Sequence, residues 1–378
     1  MRPMLRPGLL PLWRDRDTVQ IGIDPRRAVA ISGPLHTSSV IGLLDGSRDR
    51  ADLVAAAVQH GVPPEATERI LTLLAAAGVL VDCPAALLRA LPADQRGQLA
   101  PVLATASIAA QDGDSGARTL ARRSATVIEI RGTGPVASAI ASLLAQSGLV
   151  VTADGPTAAT SPPGGAEVTA HGVRRRPAAG SGRVDDAAYD RGAASGRSGG
   201  GPDLVVLVGQ QPPGLDESRP GGLLAHLMVY AGEALGVVGP LVRPGVTACL
   251  RCLDLIRTDH DPAWPLILAQ ITRRRADPPA CDPVLAAAVA AQAAAQVIAF
   301  ADRAELAGAT ANGTLELVLP AWNWRRRTWL PHPACVCRAS ETAGTPSDAG
   351  ASADVRLVTL AAKWPRAGSG VASAASRS

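Results

Sequence analysis

Two close cysteine pairs place the tightest constraint on this chain. Cys249-Leu250-Arg251-Cys252 and Cys335-Val336-Cys337 are separated by the 82 residues from 253 to 334. Four thiolates can hold one tetrahedral zinc ion if the fold brings the pairs together, and with no position left for water such a site is structural. It would tie the turn after a strand at 235–242 to a C-terminal hairpin. His332, three residues before Cys335, is a substitute ligand, and unrelated reduced thiols are the competing reading. Cys83 and Cys281 are left over, and each reads as a small buried apolar residue rather than a nucleophile. Six cysteines in a chain of this length point to metal binding before disulfides, and so to a cytoplasmic protein.

Other function classes are narrowed by charge and composition. Basic and acidic residues are interspersed, with a net charge of only +4, so nothing resembles a nucleic-acid footprint. The Arg triplets at 174–176, 273–275 and 325–327 lie far apart and read as solvated faces and loops. Of the 37 basic residues only Lys363 is a lysine, which leaves no catalytic lysine in the body of the chain. Aromatic residues are 2% of the whole, so the core must be built from Ala, Val, Leu and Ile. Prolines at 3, 7 and 11 and charges at 14–17 interrupt any secretory apolar stretch. The apolar run Val284–Ala301 carries Gln292 and Gln296 between Asp282 and Asp302, and reads as a buried helix rather than a membrane span.

At the front, LWRD, TVQIGI and RAVAIS read as short strands across residues 12–31. Three helices are expected next: Thr37–Leu44, Ala51–His60 capped by Asp49, and one opened by Pro63-Pro64 and stopped by Gly78. Val79-Leu80-Val81 closes the unit. Three strands and three helices in residues 1–82 make a small α+β winged-helix module, with a dimer arm or a DNA reader as competing uses. Residues 83–123 read as an Ala-rich linker with helical pieces.

From residue 124 to 338 the expectation is a Rossmann-like α/β domain with a mostly parallel sheet. Thr126–Ile130 is a β-branched strand, Gly132-Thr133-Gly134-Pro135-Val136-Ala137 a Gly-rich turn, and Val136–Gln146 a helix. Leu149–Thr152 is the next strand, with Asp154 just beyond it. Gly132 permits the tight turn, Gly134 permits close backbone approach, and Asp154 stands where a ribose-binding acid would be. Residues 155–202 are dominated by Gly, Ala, Ser, Pro and Arg and read as a disordered insertion. Order is expected again at Asp203–Val208, His226–Tyr230, Leu235–Val242, a helix from Asp282 to Phe300, and a hairpin of Thr314–Leu319 and Trp324–Leu330. Residues 339–378 read as a disordered tail.

The run Gly236-Val237-Val238-Gly239-Pro240-Leu241-Val242-Arg243-Pro244-Gly245-Val246-Thr247-Ala248-Cys249-Leu250-Arg251-Cys252 resembles the ThiF/MoeB/HesA family, in which a strand and a Pro-Gly turn precede a Cys-x-x-Cys. Leu253-Asp254-Leu255 and Asp261-Pro262-Ala263-Trp264-Pro265 resemble an actinobacterial branch, described as leader-peptide-binding or cyclodehydratase-like proteins of azole-forming peptide pathways. The order of elements in residues 5–82 resembles the PqqD-like recognition domain of ribosomal peptide modification systems. That resemblance implies a leader peptide added as a strand along Ala28, Val29, Ala30 and Ile31, with helix-side contacts from Arg69 and Leu73. It also implies a homodimer and a partner cyclodehydratase.

Active members of the family bind ATP–Mg at the Gly-rich turn and adenylate a carboxylate. That chemistry needs cations on the phosphates and a carboxylate for Mg2+. Here Gly209-Gln210-Gln211-Pro212 follows the 203–208 strand, where the metal ligand is expected, and no lysine lies in 155–202. Arg174, Arg175, Arg176 or Arg183 would match the charge but not the geometry of that lysine. The expectation is a leader-peptide-binding scaffold with a degenerate nucleotide pocket. The alternatives are an active ThiF-type adenylyltransferase and an NAD-dependent oxidoreductase, which would leave the cysteine pairs unexplained.

Overall fold

The computed structural model describes residues 1–15, 18–32, 36–110, 113–153, 201–209, 224–273, 280–303 and 308–338. Asp154, residues 155–200 of the expected insertion, Gln210 and Gln211, and the 339–378 tail lie outside the described residues.

The front strands form as their alternation predicts. β1 (Pro3–Leu5) precedes β2 (Pro11–Trp13), β3 (Thr18–Ile21) and β4 (Val29–Ser32), and the last three make an antiparallel sheet in the order β2-β3-β4. Val19 and Ile21 bury one side of the central strand, as a period of two requires. Helices α1 (His36–Gly42), α2 (Arg50–Gln59) and α3 (Pro64–Ala76) cover that face. The Asp49 carboxylate accepts from the Asp52 N–H and starts α2, while Pro64, with no N–H to orphan, opens α3. Helix α3 buries Ile70, Leu71 and Leu74, each worth about 1.5–3 kcal/mol when removed from water. β5 (Leu80–Asp82) returns to pair antiparallel with β1, a partnership across more than 70 residues that no local pattern announces.

The Ala-rich segment that follows is helical: α4 (Ala85–Ala90), α5 (Ala93–Ala110) and α6 (Ala117–Ala125). Leu103, Ala106 and Leu120 are buried. The buried guanidinium of Arg6 donates from Nε to Gly78 O at 2.8 Å and from Nη1 to Ser107 O and, at 3.0 Å, to Ser107 Oγ. One side chain on the loop after β1 thereby holds the end of the α3 turn against α5.

The larger sheet has seven strands. β6 (Val127–Arg131), α7 (Pro135–Gln146) and β7 (Val150–Ala153) form the first crossover. They are followed by β8 (Leu204–Val208), β9 (His226–Gly232), β10 (Leu235–Val242), β11 (Gly313–Val318) and β12 (Asn323–Thr328), in the spatial order β12-β11-β10-β9-β8-β6-β7. Three pairings are parallel (β6·β7, β6·β8, β8·β9) and three antiparallel (β9·β10, β10·β11, β11·β12). The sheet is therefore mixed rather than mostly parallel. Connection length explains two of the antiparallel pairs: Glu233-Ala234 joins β9 to β10, and a short turn joins β11 to β12, spans that only antiparallel neighbours can use.

Between β10 and β11 run α8 (Leu250–His260), α9 (Trp264–Arg273) and α10 (Pro283–Ala301). The Asp282 carboxylate caps α10 by accepting from the Val284 and Leu285 N–H groups. By length and composition α10 could cross a membrane, but Ala286, Val289, Ala290, Ala293 and Val297 are buried in the core shared with α7 and the sheet. Small side chains let it lie close: a Cβ on Gly236 of β10 would stand 2.4 Å from Val289 Cγ2.

Candidate metal centre and nucleotide turn

The Pro244-Gly245 turn after β10 leads into α8, and Cys249 stands at the helix N-cap with Cys252 one turn on. β12 runs out through Trp329 to a turn that places Cys335 and Cys337 opposite them. The Sγ separations are 3.6 Å for Cys249–Cys252, 3.5 Å for Cys249–Cys335 and 3.5 Å for Cys252–Cys337, and all four lie within 4.8 Å of one another. A metal–sulfur bond of about 2.3 Å in tetrahedral geometry sets the sulfurs about 3.8 Å apart. The donor set and spacing fit a metal ion such as zinc, held by four thiolates without an open position.

Surroundings favour thiolates unevenly. Burial pushes the Cys249 thiol far above its ordinary value, and burial with the neighbouring Cys252 sulfur raises Cys337 to about 11. Burial would raise Cys252 as well, but hydrogen bonds from the backbone of His332 and Cys249 outweigh it and lower that thiol. His332 itself is not a fifth candidate ligand in this arrangement. Its Nε2 faces Asp259 Oδ2 at 2.8 Å and its Nδ1 accepts from the Ala334 N–H at 3.1 Å, so the ring shapes the turn that delivers Cys335.

The support around the cluster was not foreseen from sequence. Asn312 Oδ1 accepts from the Ala248 N–H at 2.7 Å, fixing the residue before Cys249. Trp329, only 2% exposed, packs on the cysteines and donates from Nε1 to Thr314 Oγ1 at 3.0 Å. The Arg257 guanidinium lies over both Trp264 (4.8 Å) and Trp329 (5.4 Å), while Asp254 accepts from Trp264 Nε1 at 3.1 Å. One of the six tryptophans in an aromatic-poor chain thus packs on the cysteines and a second is reached through Arg257; that scarcity was the available signal. His260, expected in a polar loop, is the last residue of α8.

The Gly-rich turn depends on backbone that its glycines allow. Gly132 has φ +126°, and a Cβ there would sit 2.3 Å from Val208 O, so only glycine lets β6 pass this close to the end of β8. Gly134, at φ +93°, precedes Pro135 at the start of α7 and faces open space. Beside the turn, Arg131 Nε pairs with Glu129 Oε1 at 2.6 Å. Of the expected binding residues, the structure places Gly132 and Gly134 together. At the front, Val29, Ala30 and Ile31 lie on β4, with Ala28 just before it, and Arg69 and Leu73 are exposed on α3. Cys83 and Cys281 are both pushed up by burial first and by neighbouring carboxylates second, which suits packing residues better than nucleophiles.

No family model matches the chain, and no curated protein matches it. Solved structures do. The heterocyclase TruD aligns over 88% of this chain and 42% of its own, at 14% identity and a TM-score of 0.53. A heterocyclase solved in complex with substrate and cofactor aligns over 87% and 38%, at 17% identity and 0.55. MccB of E. coli, solved with AMPCPP and selenomethionine MccA, aligns over 89% of this chain and 100% of its own, at 13% identity and 0.52. This chain has the fold of TruD and MccB. It spans less than half of each heterocyclase and all of MccB. The alignments cover too much of the chain to be confined to the seven-stranded body.

Proposed function

We propose that the chain is a recognition scaffold of the ThiF type, in the actinobacterial branch named above, for ribosomal peptide modification. It binds a precursor's leader peptide through residues 1–82, forms a homodimer, and presents the peptide to a partner cyclodehydratase without adenylating anything itself. The observation that carries the reading is the edge strand β4. It pairs only with β3 among the described strands, so its second edge is free to add an extended peptide. Arg69 and Leu73, the latter 51% exposed, offer a cation and an apolar contact on α3. The company of the fold supports the reading: MccB has been solved with MccA, and a heterocyclase with its substrate.

A second reading, an active adenylyltransferase using ATP–Mg, is favoured by one observation, the preserved backbone of Gly132 and Gly134. The two separate in one experiment on the full chain with peptides encoded beside its gene. Scaffold function predicts micromolar peptide binding, weakened about tenfold or more by Leu73→Glu or Arg69→Glu, and no ATP–pyrophosphate exchange. Exchange above background that depends on Gly134 would replace it with the adenylating reading.

A further inference from the structure

A cavity lies at the opposite end of the parallel strands from the Gly-rich turn. It measures about 270 Å3 and is lined by Arg122 of α6, Thr126 and Asp203 before β6 and β8, and Phe300, Ala301 and Arg303 at the end of α10. We propose that it binds a small molecule through an oxyanion, a phosphate or a carboxylate, held between the guanidinium groups of Arg122 and Arg303.

Of the two nearby carboxylates only Asp302 has its charge matched; Asp203, in the cavity wall, keeps its negative charge against two arginines. Asp203 Oδ2 accepts from the Val127 N–H at 2.8 Å, and Asp302 is taken by Arg123 through two hydrogen bonds. Arg122 and Arg303 have no carboxylate partner among the described residues. Arg122 spends one Nη2 bond on Thr119 Oγ1 at 3.0 Å, while its Nε is sealed from solvent without any acceptor. A guanidinium left this way carries a desolvation penalty that an incoming oxyanion can relieve as the head group turns.

Arg303 supplies an independent observation. It follows α10 with φ +57°, the left-handed position that helix ends usually give to glycine or asparagine. A residue with a Cβ is strained there, and the exposed Arg303 lines the cavity. Phe300, the one phenylalanine of the chain, adds an apolar wall. The space is open on one side and admits an anion with a small organic body.

The test titrates inorganic phosphate and malonate separately into the full chain, followed by calorimetry. Saturable binding of phosphate alone identifies a phosphate ligand, and of malonate alone a carboxylate. Arg122→Gln and Arg303→Gly should each weaken binding about tenfold or more, with the exposed Arg118→Gln unchanged. Arg303→Gly relaxes the left-handed backbone, so its loss of binding cannot be assigned to unfolding. No saturable binding of either anion, or binding indifferent to both cavity variants, overturns the proposal.

Discussion

Arg123 and Asp302, 179 positions apart, meet through parallel hydrogen bonds, Nε to Oδ1 at 2.8 Å and Nη2 to Oδ2 at 2.6 Å. The pair fastens α6 to the end of α10. Removing one partner leaves the other charge poorly solvated. Arg123→Ala should cost about 2–3 kcal/mol, below the roughly 3–5 of a fully buried pair, because the Asp302 side chain keeps 23% of its exposure. Urea unfolding of both single variants and the double should reveal a coupling above about 1 kcal/mol. Additive losses would mean that the two side chains act independently.

The cysteine cluster predicts one tetrahedral metal per chain, with zinc the expected ion by elemental analysis. Serine at Cys249, Cys252, Cys335 or Cys337 should each remove it. Retention after Cys335→Ser would reduce the site to fewer thiolates.

Acidity should compete with that metal. Cys249 and Cys337 are both raised, Cys337 to about 11, so at neutral pH each holds a proton that metal binding must release. Affinity therefore falls as pH falls, by at least about a hundredfold per unit, because these two protons are a minimum for a site of four thiolates. Chelator competition at pH 6, 7 and 8 measures the slope, and a flat profile would contradict the arrangement.

Two adjacent residues of the β9–β10 hairpin, Glu233 (φ +51°) and Ala234 (φ +59°), adopt left-handed backbone in a two-residue turn. Such turns favour Asn-Gly. Ala234→Gly should raise stability by about 1 kcal/mol in thermal or urea unfolding. A loss of stability would show that the methyl group packs.

Gly132 and Gly134 should respond to alanine differently. At Gly132 the new Cβ would meet Val208 O at 2.3 Å on rigid backbone, whereas at Gly134 it would meet nothing. Gly132→Ala should destabilise by about 2–4 kcal/mol and Gly134→Ala by about 1, the backbone strain alone. Equal losses would place the close approach elsewhere.

Much of this was legible in the residues. Leu235–Val242 was read as a strand and forms with those bounds, and the Cys-x-x-Cys and Cys-x-Cys pairs offered a four-sulfur site that the fold then brings together. Local chemistry also gave Asp49 as a helix cap, and placed the start of α10 at Asp282, which caps it. What escaped depends on partners far along the chain. Nothing at Pro3–Leu5 foretells Leu80–Asp82, and Arg6 gives no hint that its acceptors are Gly78 and Ser107. The mixed sheet was hidden for a related reason: the apolar run Leu204–Val208 does lie parallel to both its neighbours, but nothing within Leu235–Val242 shows that β9 and β11 run against it.

The spacing of the cysteine pairs also has a consequence in time. Translation at about 5–20 residues per second leaves roughly 4–16 seconds between the emergence of Cys252 and that of Cys335. During that interval α8 carries two thiols whose counterparts have not yet been made. The four-sulfur cluster therefore cannot close until the last hairpin leaves the ribosome.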